Sequence, residues 1–307
     1  MQCIRKLSDI KSEKRSAVTF GKFDGLHTGH SLLVKKVHEL SADEDLTSIV
    51  CAFEMSDFLQ SIGRESVVLM TSEERAKHLE DQVDYLVNYP FTREFSSMEP
   101  EMFIREIICH YMKAKHVVVG ADFRFGRKAA GNTETLKLYS DIYGYELHVI
   151  DKIQEDQRDI SSTYIREILA QGNIPKANKL LGYEYEITGP VVHGKQLGRN
   201  LGFPTINIEW PERKIAPPRG VYFVNVLLDG NLYHAIANIG VKPTVSLDNK
   251  LAIECFLFQY HGNAYEHEAT VKLLEFRRPE MKFDSVQTMK NRVDQDILSA
   301  KNYFERN

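Results

Sequence analysis

Paired cysteines are missing from this sequence. The four present, Cys3, Cys51, Cys109 and Cys255, lie far apart and form no C-x-x-C pair, which excludes a zinc ribbon or a dithiol redox motif. They read as reduced thiols, the state kept in the cytosol. Also missing is any apolar run near the ~18 residues that a membrane-spanning helix needs, so a transport or efflux role would contradict the sequence. The first residues, MQCIRKLSDIKSEKR, hold no apolar core of a secretory signal, and a cytoplasmic location is expected. A surplus of positive charge is lacking too: the net charge is −4. That argues against a general nucleic-acid binder and leaves room only for a local basic pocket. Repeats and low-complexity tracts are absent. Small molecules are therefore the expected partners, rather than nucleic acid or membrane, and the pattern fixes no oligomeric state.

What is present is a chain of ordinary globular composition, 43% hydrophobic over 307 residues, enough for two domains. Its first half alternates strand patterns (17–20, 47–53, 85–89, 116–120 and 146–150) with helix patterns (30–40, 72–82, 100–111 and 134–143). Such alternation predicts βαβ units and a doubly wound parallel sheet, whose ligands sit at the C-terminal strand ends. Short helices are expected from Ser161 to Gly172 and over 175–181. Beyond Gly182 the texture becomes short strands: 185–192, 205–208, 220–228, 232–239, 252–258 and 268–276. These predict a small antiparallel barrel or sandwich, closed by a helix over 285–304. The domains are expected to span 1–182 and 183–307.

The most informative stretch is SAVTFGKFDGLHTGH, residues 16–30. A buried strand runs through a glycine-broken turn into a helix start with His27 and His30 on one face. Gly21, Gly25 and Gly29 permit sharp turning and close ligand approach, and a helix N-terminus attracts anions. Phe23 and Asp24 lie within the turn. Taken alone, His27 and His30 read equally well as packing residues. A zinc reading lacks a third ligand. With the strand and turn, the pair points to phosphate chemistry and resembles the H-x-G-H signature of nucleotidyltransferases that act at the α-phosphate of ATP.

A second strand-to-glycine turn, VVVGADFRFGRKAAG (117–131), carries Asp122, Arg124, Phe123 and Phe125. It is either a solvated loop or a pocket wall with aromatic faces for a ring and cations for phosphates. In ISSTYIR (160–166), Ser161 alone would be an N-cap, but Ser162, Thr163 and Arg166 add donors suited to an anion. GPVVHGK (189–195) imitates a phosphate-binding P-loop; Gln196 replaces the required Ser or Thr and no helix follows, so that reading is rejected. Gly194, Gly198 and Gly202 read instead as a phosphate flap. Thr205 and Asn207, two apart, share a strand face and offer oxygens suited to Mg²⁺, although a threonine on a sheet surface needs no function. Glu254, inside the apolar run LAIECFLF, is either an outward-facing edge residue or a general base.

In this order, FGKFDGLHTGH, GADFRFG, ISSTYIR, GRNLGFPTIN, PPRGVYFV, NIGVKPT, the strand glutamate and RPEMKFDS resemble the prokaryotic bifunctional riboflavin kinase/FAD synthetase family over nearly the whole chain. The resemblance implies a Rossmann-like nucleotidyltransferase domain followed by a six-stranded barrel with a terminal helix. It implies riboflavin, FMN and ATP as substrates, Mg²⁺ as cofactor, and formation of FMN and then FAD. By position, Gly21, Phe23, Asp24, Gly29, Asp122, Arg124, Ser161, Ser162, Thr163 and Arg166 would hold nucleotide in the first half, and Gly194 and Gly202 would do so in the second. His27 and His30 would stabilise adenylyl transfer, and Phe123, Phe125 and Arg278 would lie by the flavin. Thr205 and Asn207 would bind Mg²⁺–ATP, and Glu254 would take the ribityl 5′-hydroxyl proton.

One departure stands out. Where the family has Phe-x-Pro-His-Pro, this chain has FEMSDF, with Met55, Ser56 and Asp57. Loss of two prolines should loosen the segment, and Asp57 adds negative charge. A chain retaining one activity, the kinase, is the resulting alternative. A non-catalytic flavin- or nucleotide-binding regulator fits less well, since binding alone needs no full set of transfer residues.

Overall fold

Strands buried on both faces need continuous apolar runs, and AVTF, IVCAF and VVV become the centre of a parallel sheet. The computed structural model describes residues 1–194, 202–242 and 250–306, which group into two units, Met1–Ser162 and Thr163–Asn307. The first holds β1 (Gln2–Ile4), β2 (Ser16–Gly21), β3 (Thr47–Glu54), β4 (Tyr85–Pro90), β5 (Ala114–Gly120) and β6 (Glu146–Ile150), in the order β1-β4-β3-β2-β5-β6. All neighbours pair in parallel, as the alternation predicts. Edge strand β1 is too short to carry a pattern. The hairpin β7 (Gln154–Glu155) and β8 (Arg158–Asp159) turns on Asp156 and Gln157 with φ of 51° and 61°, a backbone usually marked by Asn-Gly or Asp-Gly.

The connecting helices are α1 (Thr28–Asp43), α2 (Ser56–Ser61), α3 (Ser72–Leu79), α4 (Arg93–Ser96), α5 (Pro100–Met102) and α6 (Thr133–Tyr143). Thr71 and Glu74 form a capping box at the start of α3. Gly144, at φ 70°, ends α6. The helix expected over 100–111 becomes a π-helix from Phe103 to Tyr111, and the Met112 N–H donates to Ile107 O at 3.1 Å. Its wider turn aligns the buried Ile104, Ile108 and Met112, four apart, and Phe103, five before Ile108, on the core.

The second unit begins within α7 (Ser162–Ala170), then α8 (Ile174–Leu181). These two helices group with the barrel, so the division falls before them, while the strand-rich texture starts after Gly182. β9 (Glu186–Val192), β10 (Ile206–Glu209), β11 (Gly220–Leu228), β12 (Asn231–Lys242), β13 (Lys250–Leu257) and β14 (Glu268–Pro279) close into an antiparallel barrel, β10-β13-β12-β11-β14-β9. α9 (Val286–Phe304), capped by Ser285, follows. Val224, Val226, Ile253 and Cys255 fill the barrel interior. Val221, Phe223 and Ile236 face outward, buried with Ala300, Ile297 and Phe304 of α9. A closed barrel has no edge strands to protect. No helix among the described residues is long and apolar enough to cross a membrane.

Candidate active sites

β2 delivers the chain to α1 through a turn that needs glycine at Gly25 (φ 84°). His27 occupies the cap position of α1, and its ring stacks on that of His30 with centroids 3.8 Å apart. Phe23, fully buried, packs against the His30 ring at 5.1 Å. A Cβ on Gly29 would lie 3.2 Å from His27 Nδ1, and one on Gly21 would lie 3.3 Å from the Phe23 ring. These glycines let the rings fold close to the backbone. The Nδ1 atoms of both histidines are buried without a hydrogen-bond partner among the described residues. A buried polar atom left unpaired is costly, and here two of them converge at a helix N-terminus.

Burial pushes the pKa of His27 down to about 4, opposed by the Asp122 carboxylate. Burial, then the neighbouring His27 and Arg75, hold His30 well below its ordinary value. At pH 7 both rings are therefore neutral, each with one N–H to donate. The His27 shift also bears on stability. Between pH 6.5 and about 4 the unfolded ring binds a proton that the folded ring refuses, so stability falls as pH drops through that window. The full loss is about 3 kcal/mol for His27. Denaturant unfolding at pH 7 and pH 5 should show this slope flattened in His27→Gln.

Asp24 organises the turn: its carboxylate accepts from the Leu69 N–H at 2.7 Å, and its carbonyl accepts from Ser162 Oγ at 2.8 Å. Ser161 immediately precedes α7, while Thr163 (exposed) and Arg166 (half-buried) follow on that helix in the second unit. Asp122 pairs with Lys152 at 2.9 Å, and Arg124 is exposed. Phe123 is half-buried, stacked on Phe20 and Phe125. Phe125 is core, close enough to Gly131 that a Cβ there would fall 2.7 Å from its ring.

Arg75 escapes a reading of the sequence, because a charge within a helix is ordinarily solvated. Here it is 5% exposed, paired with Glu54 and donating to Asn88 Oδ1 at 2.9 Å. The capping box that sets α3 is the only signal of its placement. Glu54 holds the variable place in FEMSDF, just before the departure at Met55, Ser56 and Asp57; Met55 caps α2, and Asp57 lies in its first turn. An acidic residue suits a helix N-terminus. Phe53 and Phe58 both pack against Phe91.

In the barrel, register brings distant residues together. Asn207 pairs with Glu254, Glu254 with Asn238, Asn238 with Val221 and Val221 with Arg278. Directly paired residues share a sheet face, so Asn207, Glu254, Asn238 and Arg278 form one row across neighbouring strands, on the outer face towards α9. A cavity of about 340 Å³ opens there, lined by Thr205, Glu254, Asn238, Phe256, Arg278 and Met281, among others. Glu254 is thus no edge residue. Asn207 is 4% exposed, and its Oδ1 has no hydrogen-bond partner among the described residues. A Cβ at Gly194 would fall on the Asn207 amide. Gly202 has a φ of 91°, a backbone that favours glycine. Gly198, Pro243 and Thr244 lie outside the described residues. The Arg278 guanidinium donates through Nε (2.9 Å) and Nη2 (2.5 Å) to Asp296 on α9, which also meets Arg292 at 3.3 Å. Arg278 therefore fastens the 278–283 segment to α9 at the cavity wall.

Residues 9–164 match the family model described as FAD synthetase, and 181–304 the one described as riboflavin kinase. The chain belongs to the bifunctional riboflavin kinase/FAD synthetase family. Proteins described as bifunctional riboflavin kinase/FMN adenylyltransferase are 32% identical in Listeria monocytogenes (97% of this chain, 96% of the relative) and 33% in Haemophilus influenzae (99% of each). The Escherichia coli K12 relative is 32% identical over 99% of this chain and 98% of its own. A crystal structure described as a macrolide-efflux protein from Streptococcus pneumoniae has a TM-score of 0.86 at 30% identity, covering 98% of both chains. The likeness places that protein in the same fold; nothing in the helices described here provides a membrane passage.

Proposed function

We infer that this chain phosphorylates riboflavin to FMN and adenylylates FMN to FAD. The observation that carries the kinase step is that Glu254 and Asn238 line the cavity beside α9, with Asn207 paired in register with Glu254 on the next strand. Glu254 would accept the ribityl 5′-hydroxyl proton as that oxygen attacks the γ-phosphate of ATP and ADP leaves. Asn207, whose buried Oδ1 has no hydrogen-bond partner among the described residues, and Thr205 fit Mg²⁺, an oxygen-seeking ion. When bound, Mg²⁺ would neutralise phosphate charge. Gly194 leaves the Asn207 amide room that any larger residue would fill, and Gly202 would lie beside the triphosphate.

For the second step, a phosphate oxygen of FMN attacks the α-phosphorus of ATP and pyrophosphate leaves. The neutral His27 and His30 rings would donate to the α-phosphate oxygens and the leaving pyrophosphate. Gly21, Gly29 and the α1 N-terminus supply close backbone approach, and Phe23 and Asp24 hold the turn in shape. Asp122, Arg124, Ser161 and Ser162 would complete the nucleotide site. Phe123 would face the flavin, supported from the core by Phe125. These roles divide between domains 1–182 and 183–307, and we place the enzyme in the cytoplasm. Labelled ATP tests the division: the γ-label must enter FMN, whereas the α-label must enter FAD alone.

Arg278 acts in this scheme through its clamp on Asp296. Asp296→Asn should raise the KM for riboflavin about tenfold by loosening a nearly buried charge pair, with kcat changed less. FAD formation from supplied FMN should stay at the wild-type rate, and steady-state kinetics with each substrate checks both parts.

A further inference from the structure

A second group of chemistry-bearing side chains lies at the opposite end of α1 from His27 and His30. α1 has 16 residues, so the two places are separated by about 24 Å of helix. His116 on β5 pairs in register with Glu146 on β6, and His148, two further along β6, shares that face. His116 is 2% exposed, so both of its ring nitrogens must be satisfied by neighbouring side chains. Its Nδ1 lies 3.0 Å from His148 Nε2 and 3.7 Å from Glu146 Oε2, and His148 Nε2 lies 3.5 Å from Glu146 Oε1. All three ligand atoms fall within 4.8 Å of one another.

We propose that His116, Glu146 and His148 form a binding site for one divalent transition-metal ion of the zinc class. Ligand atoms about 2.0–2.1 Å from a tetrahedral ion lie about 3.3 Å apart; the two ring nitrogens are 3.0 Å apart, and each meets one oxygen of the Glu146 carboxylate, Oε1 at 3.5 Å from His148 and Oε2 at 3.7 Å from His116. Glu44, at the end of α1, supplies the outer support such sites require. Its Oε1 lies 3.1 Å from His116 Nε2 and accepts the Nε2–H, which leaves the Nδ1 lone pair turned towards the cluster. A carboxylate holding the second ring nitrogen of a ligating histidine is a recurrent feature of metal sites. Lys115 pairs with the other Glu44 oxygen. On metal binding the His148 proton resides on Nδ1, with no net proton release from a neutral ring. Imidazole nitrogens with one carboxylate favour zinc-like ions over Mg²⁺. Glu146 is 67% exposed, leaving a path for the ion and a solvent ligand. Such an ion would fasten edge strand β6 to β5.

Co²⁺ serves as the spectroscopic probe on the purified full-length chain, with Zn²⁺ as competitor. The expected result is one Co²⁺ per chain with visible absorption of a tetrahedral site, displaced by Zn²⁺. Glu146→Gln and His148→Gln should each weaken uptake at least tenfold, while His27→Gln binds as the wild type does. FAD formation by Glu146→Gln, whose altered side chain is exposed, should remain normal and report an intact fold. No Co²⁺ uptake by the wild type, or wild-type affinity in Glu146→Gln, would overturn the proposal and leave the three residues as a hydrogen-bonded cluster.

Discussion

His30→Ala should abolish FAD formation from supplied FMN while riboflavin is still converted to FMN. The expected loss in kcat is at least 10²-fold, the usual effect of removing one preorganised donor at developing charge. Geometry makes His30 the sharper of the two tests. Its ring is held between Phe23 and His27, and its Nδ1 is buried without a partner among the described residues. A buried polar atom with no partner among the described residues suits a group that meets a ligand. The neutral state set by burial means that the ring donates as an imidazole and needs no protonation. Adenylylation should accordingly be independent of a histidine titration between pH 6 and 8. His30→Gln, which keeps an N–H donor, should recover part of the rate. Equal loss of FMN and FAD in His30→Ala would refute the division of labour.

Glu254→Gln should stop riboflavin phosphorylation while supplied FMN still becomes FAD. General-base assistance contributes about 10²–10⁴-fold, and the amide is isosteric, so packing beside Asn207 and Asn238 is preserved. Near-normal FMN production by Glu254→Gln would remove it from the base role. Asn207→Ala should lower the same step but shift its dependence on Mg²⁺ concentration. Glu254→Gln should leave that dependence unchanged.

How far the sequence announces this depends on the scale of each signal. The parallel sheet is legible because AVTF, IVCAF and VVV are continuous apolar runs separated by helical periods. The barrel is legible because its strands are bounded by turn residues such as Asp229-Gly230. His27 and His30 declare themselves by glycine context. The pairing of Asn207 with Glu254, 47 positions apart, is visible only once strand register is known. Arg75 is hidden for the same reason: its burial depends on Glu54 and Asn88 from two neighbouring strands. Arg278 reads as a flavin neighbour, and the structure adds that its guanidinium is engaged by Asp296 of α9. In FEMSDF, where missing prolines suggest a looser segment, the chain instead coils into α2.

The most direct measurement is chromatography of products from the purified chain with ATP and Mg²⁺, in parallel reactions started from riboflavin and from FMN. FMN and FAD from the first, and FAD from the second, are the predicted result. FMN alone would contradict a working adenylylation site and point to the FEMSDF departure. Bound flavin with neither product would contradict catalysis altogether.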